Sequence, residues 1–398
     1  MNILIYFGPQ LNPQRGGTER VACMIADYLL SIGHNVSYMA STLVEDNLSR
    51  KSVFLPDGND APTAANIAFV KKYIEKNQID MILNEGASSE AIYIFSHEHI
   101  ASTVKIISHL HFSVLDDIKN FYHTLNYPLG EVSLVQICIN ILKWIKAPYN
   151  KWNALRNKRQ RYRYMYENSN LVVVLTDKQK ISMESLLGIN KSKKIVAVQN
   201  PNLVNVSDTD FSKKENLIIF VGRLDYSSKR VDRVLVVWAS IQNELKNWRM
   251  VIVGSGTDEL RLKKMSQNLA LQRIEFAGQT DSTPYYSSAK ILLLTSNYEG
   301  TPMVITEAMA SGVVPVVMDT FKDAGLNIKN GNNGILTPPF DIKKMARSVL
   351  QLAKDDSDLK RMSKNAKQTV DGIDNSNRLN IWSELANGNK KAYIVIQF

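Results

Sequence analysis

Cysteine is scarce in this chain: 398 residues contain two, Cys23 and Cys138, each inside an apolar stretch. One pair at most, with no metal-ligand spacing around it, excludes a disulfide framework and a structural zinc set as the basis of the fold, and a reducing compartment is expected. Long hydrophobic runs are missing as well. The longest, "VSLVQICINIL" from Val132, ends at Lys143, short of the roughly 18 apolar residues that a membrane span needs. The N-terminus "MNILIYFGPQ" lacks a basic region ahead of its short apolar run and reads as a first strand, not a secretion signal. A cytoplasmic protein, soluble or peripherally attached, is expected. Acidic residues are absent between Glu131 and Glu167. That span instead interleaves Lys143, Lys146, Lys151, Arg156, Lys158, Arg159, Arg161 and Arg163 with Trp144, Tyr149, Trp152, Tyr162, Tyr164 and Tyr166.

The residues present describe an α/β chain. Short Val- and Ile-rich runs, each followed by a turn signal and a helical pattern, recur from end to end: "NILIYF", "NVSYMA", "MILNEG", "KIISHLH", "LVVVLT" and "KIVAVQN", then "LIIFVGR", "MVIVGSG", "RIEFAGQ", "ILLLTS" and "VVPVVMD". Continuous apolar strands alternating with helices are the signature of parallel strands in βαβ units. Periodicity lapses over residues 200–216, a run of Asn, Pro, Ser, Asp and Lys taken as a linker. The expected division is residues 1–203, with a basic and aromatic insertion at 112–166, then 204–372, then a crossover helix and tail at 373–398. Two such domains are expected to place ligands in a cleft at the C-terminal ends of their strands.

Several loops at those strand ends carry candidate chemistry. After the first strand, Gly16 and Gly17 precede a helix, where bare backbone amides can approach an anion; as plain turn residues they need no ligand. After "LIIFVG", Arg223 and Lys229 can converge on a diphosphate, the alternative being two solvated surface charges. Gly254 and Gly256 in "VGSGTDEL" lack the third glycine of a dinucleotide fingerprint and read as a strand-to-helix turn bordering a phosphate site. His109 and His111 share a strand face, and His111 at the tip is placed to hydrogen-bond a sugar hydroxyl or a developing charge, against the structural reading of a strand histidine. In "YEGTPMVITEAM", Gly300, Thr301 and Pro302 turn into a helix whose first amides, Thr301 to Val304 with Met303 between, favour an anion. Glu299 before the turn and Glu307 on the helix suit hydroxyl groups, so one ligand with a phosphate flanked by two polyols fits: a nucleotide-sugar.

The glutamates Glu299 and Glu307 separated by seven residues, the Arg223/Lys229 pair, the Gly16–Gly17 loop, "NP" at the domain junction and "NGNNGILTPPFD" together resemble family 4 glycosyltransferases of the GT-B fold. The likeness is strongest over about residues 217–370 and weakest over 112–165. It implies two Rossmann-like domains, a C-terminal helix returning to the N-terminal domain, and retaining transfer of a hexose or N-acetylhexosamine from a nucleotide-diphosphate sugar without a metal or other cofactor. Asp-x-Asp is absent from the loops at the strand ends, in keeping with that. By the resemblance, Glu307 holds the ribose hydroxyls, Glu299 the sugar, Arg223 and Lys229 the leaving diphosphate, and His111 and Gly17 match family positions. The segment 319–331 lacks an acidic residue that the family often carries there. A uridine-diphosphate donor is expected, guanosine-diphosphate mannose being the alternative, and a non-catalytic scaffold of the same fold the reading from another class.

Net charge, +10, points to an anionic partner. No nucleic-acid-binding module accompanies it, so nucleic acid is not expected. The basic aromatic segment, with Lys143, Trp144, Lys146, Trp152, Arg156, Lys158, Arg159, Arg161 and Arg163, is expected to dock on the anionic inner face of the membrane, where a lipid-linked or oligosaccharide acceptor for cell-surface polysaccharide would be met.

Overall fold

The computed structural model describes residues 1–45, 50–125, 134–201 and 210–388. The expected boundary at 203/204, residues 202–209 of the expected linker, and the end of the tail lie outside them. The chain runs β1 (Asn2–Tyr6), α1 (Gly17–Ser31), β2 (Asn35–Ala40), β3 (Ser52–Phe54), α2 (Ala64–Lys76), β4 (Met81–Asn84), α3 (Ala91–Ile94) and β5 (Lys105–His109). It continues through α4 (Asp116–Lys119), α5 (Leu134–Asn168), β6 (Leu171–Val174), α6 (Asp177–Leu187) and β7 (Ile195–Ala197). Then come β8 (Leu217–Val221), α7 (Val231–Ile241), β9 (Arg249–Val253), α8 (Glu259–Asn268), β10 (Ile274–Gly278), α9 (Thr283–Ser288) and β11 (Ile291–Leu294). The last elements are α10 (Met303–Ala310), β12 (Val314–Met318), β13 (Ile335–Thr337), α11 (Ile342–Lys354), α12 (Asp356–Asp371) and α13 (Asn375–Asn387).

The strands form two parallel sheets. The first has the order β3-β2-β1-β4-β5-β6-β7, the second β10-β9-β8-β11-β12-β13. In each, the order reverses beside the strand that opens the half, at β1/β4 and at β8/β11, and loops leaving such a switch point are where open α/β sheets hold ligands. Strands buried on both faces need apolar side chains at every position, which is why β4, β6 and β11 are buried throughout. The second sheet's core is filled from one side by α7, whose Trp238 is fully enclosed and donates its indole N–H to the Gln272 carbonyl at 2.9 Å.

The chain divides into two compact units, Met1–Val114 with Leu155–Pro201 and Asp374–Phe398, and Leu115–Ala154 with Asn202–Ile373. The sequence-based insertion at 112–166 is therefore shared between the units instead of belonging to the first. The reason lies in the contacts of residues 115–125. Asn120 Nδ2 donates to the carbonyls of Asn297 and Thr320 at 2.5 and 2.6 Å, and Asp116 Oδ2 accepts from the Lys322 amide at 3.0 Å. His123 stacks on Phe340, ring centroids 3.4 Å apart, and its carbonyl accepts from Arg230 at 2.7 Å.

The C-terminal helix returns to the first unit. In α13, Asn380 accepts from Tyr28 of α1 at 2.6 Å, the Leu385 carbonyl accepts from Lys105, and Arg378 reaches the Asn200 carbonyl at 2.6 Å. Trp382 is buried with its ring 4.9 Å from that of His109.

Candidate functional site

Gly222 follows β8 at φ +152°, letting the chain turn out of the sheet into a loop that Asp225 organises. Its Oδ1 accepts from the Ser228 and Lys229 amides at 2.7 and 3.3 Å and from the Ser228 hydroxyl at 2.7 Å, while Oδ2 accepts from Arg223 Nε at 3.1 Å. Burial works to raise the Asp225 pKa, but the Ser228 hydroxyl and amide, with Arg223, outweigh it and bring it below the usual value. One ionised carboxylate thus orders the loop that carries both expected cations. Arg223 remains 67% exposed, presenting its guanidinium outward.

The loop after β11 is bound to this one by backbone and buried side chains. The Asn297 amide donates to the Ser228 carbonyl at 2.6 Å, its Nδ2 to the Ser227 carbonyl at 2.9 Å, and Thr295 Oγ1 to the Arg230 carbonyl at 2.9 Å. Arg233, buried on α7, donates to the Thr295 carbonyl and to Asn297 Oδ1 at 2.9 and 2.8 Å. Its pKa falls to about 10, by burial first and then by the charge of Arg230. These ties bring Lys229 Nζ within 2.5 Å of Glu299 Oε1, which also accepts from Ser296 Oγ at 2.6 Å. So Glu299, expected to serve a sugar, is held in this structure by the lysine expected to serve the diphosphate.

The helix after the Gly300–Pro302 turn begins at Met303, with Pro302 as its cap and Met303 and Val304 in its first turn; Thr301 precedes it. Glu307, one turn on, is 2% exposed, and its Oε2 accepts from the Tyr286 hydroxyl at 2.8 Å. Gly254 and Gly256 serve close packing of loops. A Cβ on Gly254, at φ +127°, would lie 2.0 Å from the Gly222 carbonyl oxygen, and one on Gly256 2.3 Å from that of Leu224. The two glycines let the β9 loop press against the backbone of the cation-bearing loop.

In the first unit, Gly16 caps α1 and Gly17 begins it. Gly16 is extended, with φ 177°, so neither strain nor a left-handed turn explains it. His111 is not the open strand tip that the sequence suggested. Its side chain is 2% exposed and turned to Glu85, whose Oε2 accepts from His111 Nε2 and, at 2.8 Å, from His109 Nδ1. Burial would raise the Glu85 pKa, but the charge and hydrogen bonds of His109 and His111 hold it down, at about 2. Burial also lowers the His109 pKa, helped by neighbouring His111. Glu85, His109 and His111 are the one trio of potential metal ligands among the described residues, their ligand atoms within 4.8 Å of one another. Here they close on each other as a hydrogen-bonded set.

The basic aromatic segment is the helix α5, and the structure separates its two halves. In the C-terminal half, Arg161 donates to the Ser88 carbonyl at 3.0 Å and Arg163 to that of Leu187 at 2.5 Å, and Arg159 lies against Gly188. Lys158 lies over the Tyr162 ring, while Arg156 is exposed. In the N-terminal half, Trp144 and Lys151 pack on Tyr122 and Ala147 is buried, which turns the other face outward. That face carries the adjacent Ile141 and Leu142, then Ile145, Tyr149 and Trp152 at steps of three or four, all 54–69% exposed, with Lys146 beside them. The amphipathic helix therefore points its apolar stripe at solvent, the reverse of a helix that covers a core. No helix among the described residues is long and apolar enough to cross a membrane.

The second unit thus combines two cations and a helix start, which suit phosphate, with two carboxylates, which suit hydroxyl groups. Sequence reasoning missed Asp225 and Ser296, which bond residues three or four positions on, and Asn297, Tyr286 and Glu85, which act through tertiary contacts. Residues 205–369 match the family model described as glycosyl transferases group 1. Over 338 residues the chain is 26% identical to an uncharacterized glycosyltransferase of Haemophilus influenzae, covering 84% of this chain and 86% of the relative. A Campylobacter jejuni relative, "GalNAc-alpha-(1->4)-GalNAc-alpha-(1->3)-diNAcBac-PP-undecaprenol alpha-1,4-N-acetyl-D-galactosaminyltransferase", is 28% identical over 179 residues, 45% of this chain and 49% of its own length. Among solved structures, the pneumococcal O-GlcNAc transferase GtfA in complex with UDP and GlcNAc aligns over 98% of this chain and 99% of its own, with a TM-score of 0.72 at 14% identity. The fold is therefore the two-domain GT-B fold of glycosyltransferases, and its second unit carries the segment that the group 1 glycosyl transferase model describes.

Proposed function

We propose that this protein is a retaining, metal-independent family 4 glycosyltransferase that moves a hexose or N-acetylhexosamine from a UDP-sugar to a lipid-linked saccharide in the assembly of a cell-surface polysaccharide. The observation that carries the reading is the Lys229–Glu299 pair, set at a strand end within the matched segment, one short turn before the helix that buries Glu307. In the proposed reaction the bond from the anomeric carbon to the diphosphate oxygen breaks while a bond to the acceptor oxygen forms on the same face, and the acceptor proton passes to the departing diphosphate. Arg223 and Lys229 stabilise the charge that grows on that diphosphate, and the first amides of α10 add to it. Glu299 releases Lys229 and takes sugar hydroxyls. Glu307 takes the ribose hydroxyls, and His111 hydrogen-bonds the transferred sugar.

The proposed partner surface is the anionic inner face of the membrane, met through the outward face of α5. Each Lys or Arg close to an anionic surface contributes about 1 kcal/mol, and Trp and Tyr settle at the interface. The absence of acidic residues from 132 to 166 removes the repulsion that would oppose docking. Screening purified protein for thermal stabilisation by a panel of nucleotide-sugars, followed by nucleoside diphosphate release with the best binder, tests the reading. Binding with release supports it; binding without release, whatever the acceptor, favours a non-catalytic scaffold, and no binding at all rejects both.

A further inference from the structure

Glu85 follows β4 at the switch point of the first sheet, and its amide donates to the Tyr6 carbonyl of β1 at 2.9 Å, which fixes the backbone there. Gly86 permits the tight packing beside it, since a Cβ at that position would meet the Tyr6 ring at 3.0 Å and Asn84 Oδ1 at 3.3 Å. The Glu85 side chain is fully enclosed, and one oxygen, Oε2, receives both imidazoles. Trp382, from α13, closes the far side of His109, and the two imidazole rings lie 4.1 Å apart. Within this cluster three buried atoms have no hydrogen-bond partner: Glu85 Oε1, His109 Nε2 and His111 Nδ1.

A carboxylate only accepts hydrogen bonds, so each ring nitrogen that faces Oε2 carries a proton. The other nitrogen of a neutral ring is then a bare acceptor. We propose that Glu85 is a positioning residue that fixes His111 as the Nε2–H tautomer, so that His111 meets its ligand through the lone pair of Nδ1 and accepts a hydrogen bond from a sugar hydroxyl. His109 has the complementary tautomer, Nδ1–H, and acts as a brace that keeps Oε2 on the line between the two rings. The inference deepens the proposed function and rests on the role given there to His111. It adds that the histidine recognises a donor group rather than supplying one.

The test is histidine tautomer assignment by long-range 1H–15N correlation on the uniformly 15N-labelled full chain near pH 7.5, with the His111 signals identified by their loss in His111→Asn. The expected wild-type pattern is a protonated Nε2 and a pyridine-like Nδ1 for His111, and the opposite for His109. In Glu85→Gln the carboxamide oxygen takes the place of Oε2 and keeps the pattern, whereas in Glu85→Leu no acceptor faces the two rings and the fixed pattern is lost. Turnover is then expected to fall at least about tenfold, with UDP affinity within twofold of wild type because the nucleotide contacts lie in the second unit. A wild-type His111 protonated on Nδ1 or on both nitrogens, an unchanged tautomer in Glu85→Leu, or wild-type turnover in that variant would overturn the proposal. If the wild type transfers no sugar, the transferase reading fails separately, and the tautomer pattern decides the role of Glu85 alone.

Discussion

Substituting Lys229 with alanine perturbs the candidate site at its centre, and the structure allows two separate effects to be weighed. Lys229 and Glu299 have side chains 16% and 11% exposed and an N···O distance of 2.5 Å. Removing the ammonium leaves a nearly enclosed carboxylate whose remaining close partner is the Ser296 hydroxyl, at 2.6 Å. Leaving a largely buried group short of its partner costs about 1–3 kcal/mol. In a unit of this size each kcal/mol lowers Tm by about 2–4 °C. The catalytic effect is separate. If the same ammonium stabilises charge on the leaving diphosphate, losing it lowers turnover about 100- to 1000-fold, the effect of deleting one preorganised donor. A second change divides the two: Glu299→Gln in the Lys229→Ala background removes the orphaned charge and restores most of the lost Tm, while turnover stays low. Calorimetric melts and nucleoside diphosphate release at saturating donor, taken well below both melting temperatures, provide the readouts. Turnover of Lys229→Ala within a few-fold of wild type refutes the leaving-group role. Recovery of Tm and turnover together in the double variant shows that the lysine is only a structural partner of Glu299.

Glu307→Ala weakens both UDP and UDP-sugar by about 1–3 kcal/mol, whereas Glu299→Ala weakens only the sugar-bearing ligand; equal losses of UDP affinity by titration calorimetry reject that division. Replacing Ile141, Leu142, Ile145 and Tyr149 with serine abolishes sedimentation with anionic vesicles and leaves UDP binding intact; a variant that still sediments removes the α5 face from the account. Burial holds the His109 pKa below 6.5, so as pH falls below about 6.5 the unfolded chain gains a proton that the folded chain refuses. The folded state then loses up to about 1.4 kcal/mol per pH unit, and His109→Gln flattens the decline in Tm between pH 6.5 and 5. Glu85, held at about 2 against 4.5, contributes stability that is complete above pH 4.5 and lost between 4.5 and 2, below the window in which His109 is read.

Much of the fold was legible because strands buried on both faces must be apolar without interruption. The eleven Val- and Ile-rich runs of the sequence correspond to eleven of the thirteen strands among the described residues. The two others, β3 and β13, are three-residue edge strands that, unlike the buried edge strand β7, are only partly buried, so "SVF" and "ILT" carry no apolar run or periodicity to read. Arg223, Lys229, Glu299 and Glu307 were legible because Gly and Pro punctuate the loops that hold them. The order imposed by Asn297 and Arg233 was not, since it depends on side chains meeting across 62 to 70 residues of sequence only once the sheet has formed. Composition likewise treated α5 as one basic surface. It cannot register that Arg161 and Arg163 are committed to backbone carbonyls while the apolar residues nearer the N-terminus of the same helix face solvent.

The central claim is sugar transfer from a nucleotide diphosphate with retention and without a metal. Its most direct test is proton NMR of the reaction of purified wild-type protein with a UDP-α-sugar and an acceptor, in the presence of a chelator. The account predicts release of UDP together with a new α-anomeric signal from the first turnovers onward, both lost in Glu299→Gln. A β-configured product, or a reaction that stops with the chelator and resumes with added magnesium, would contradict it.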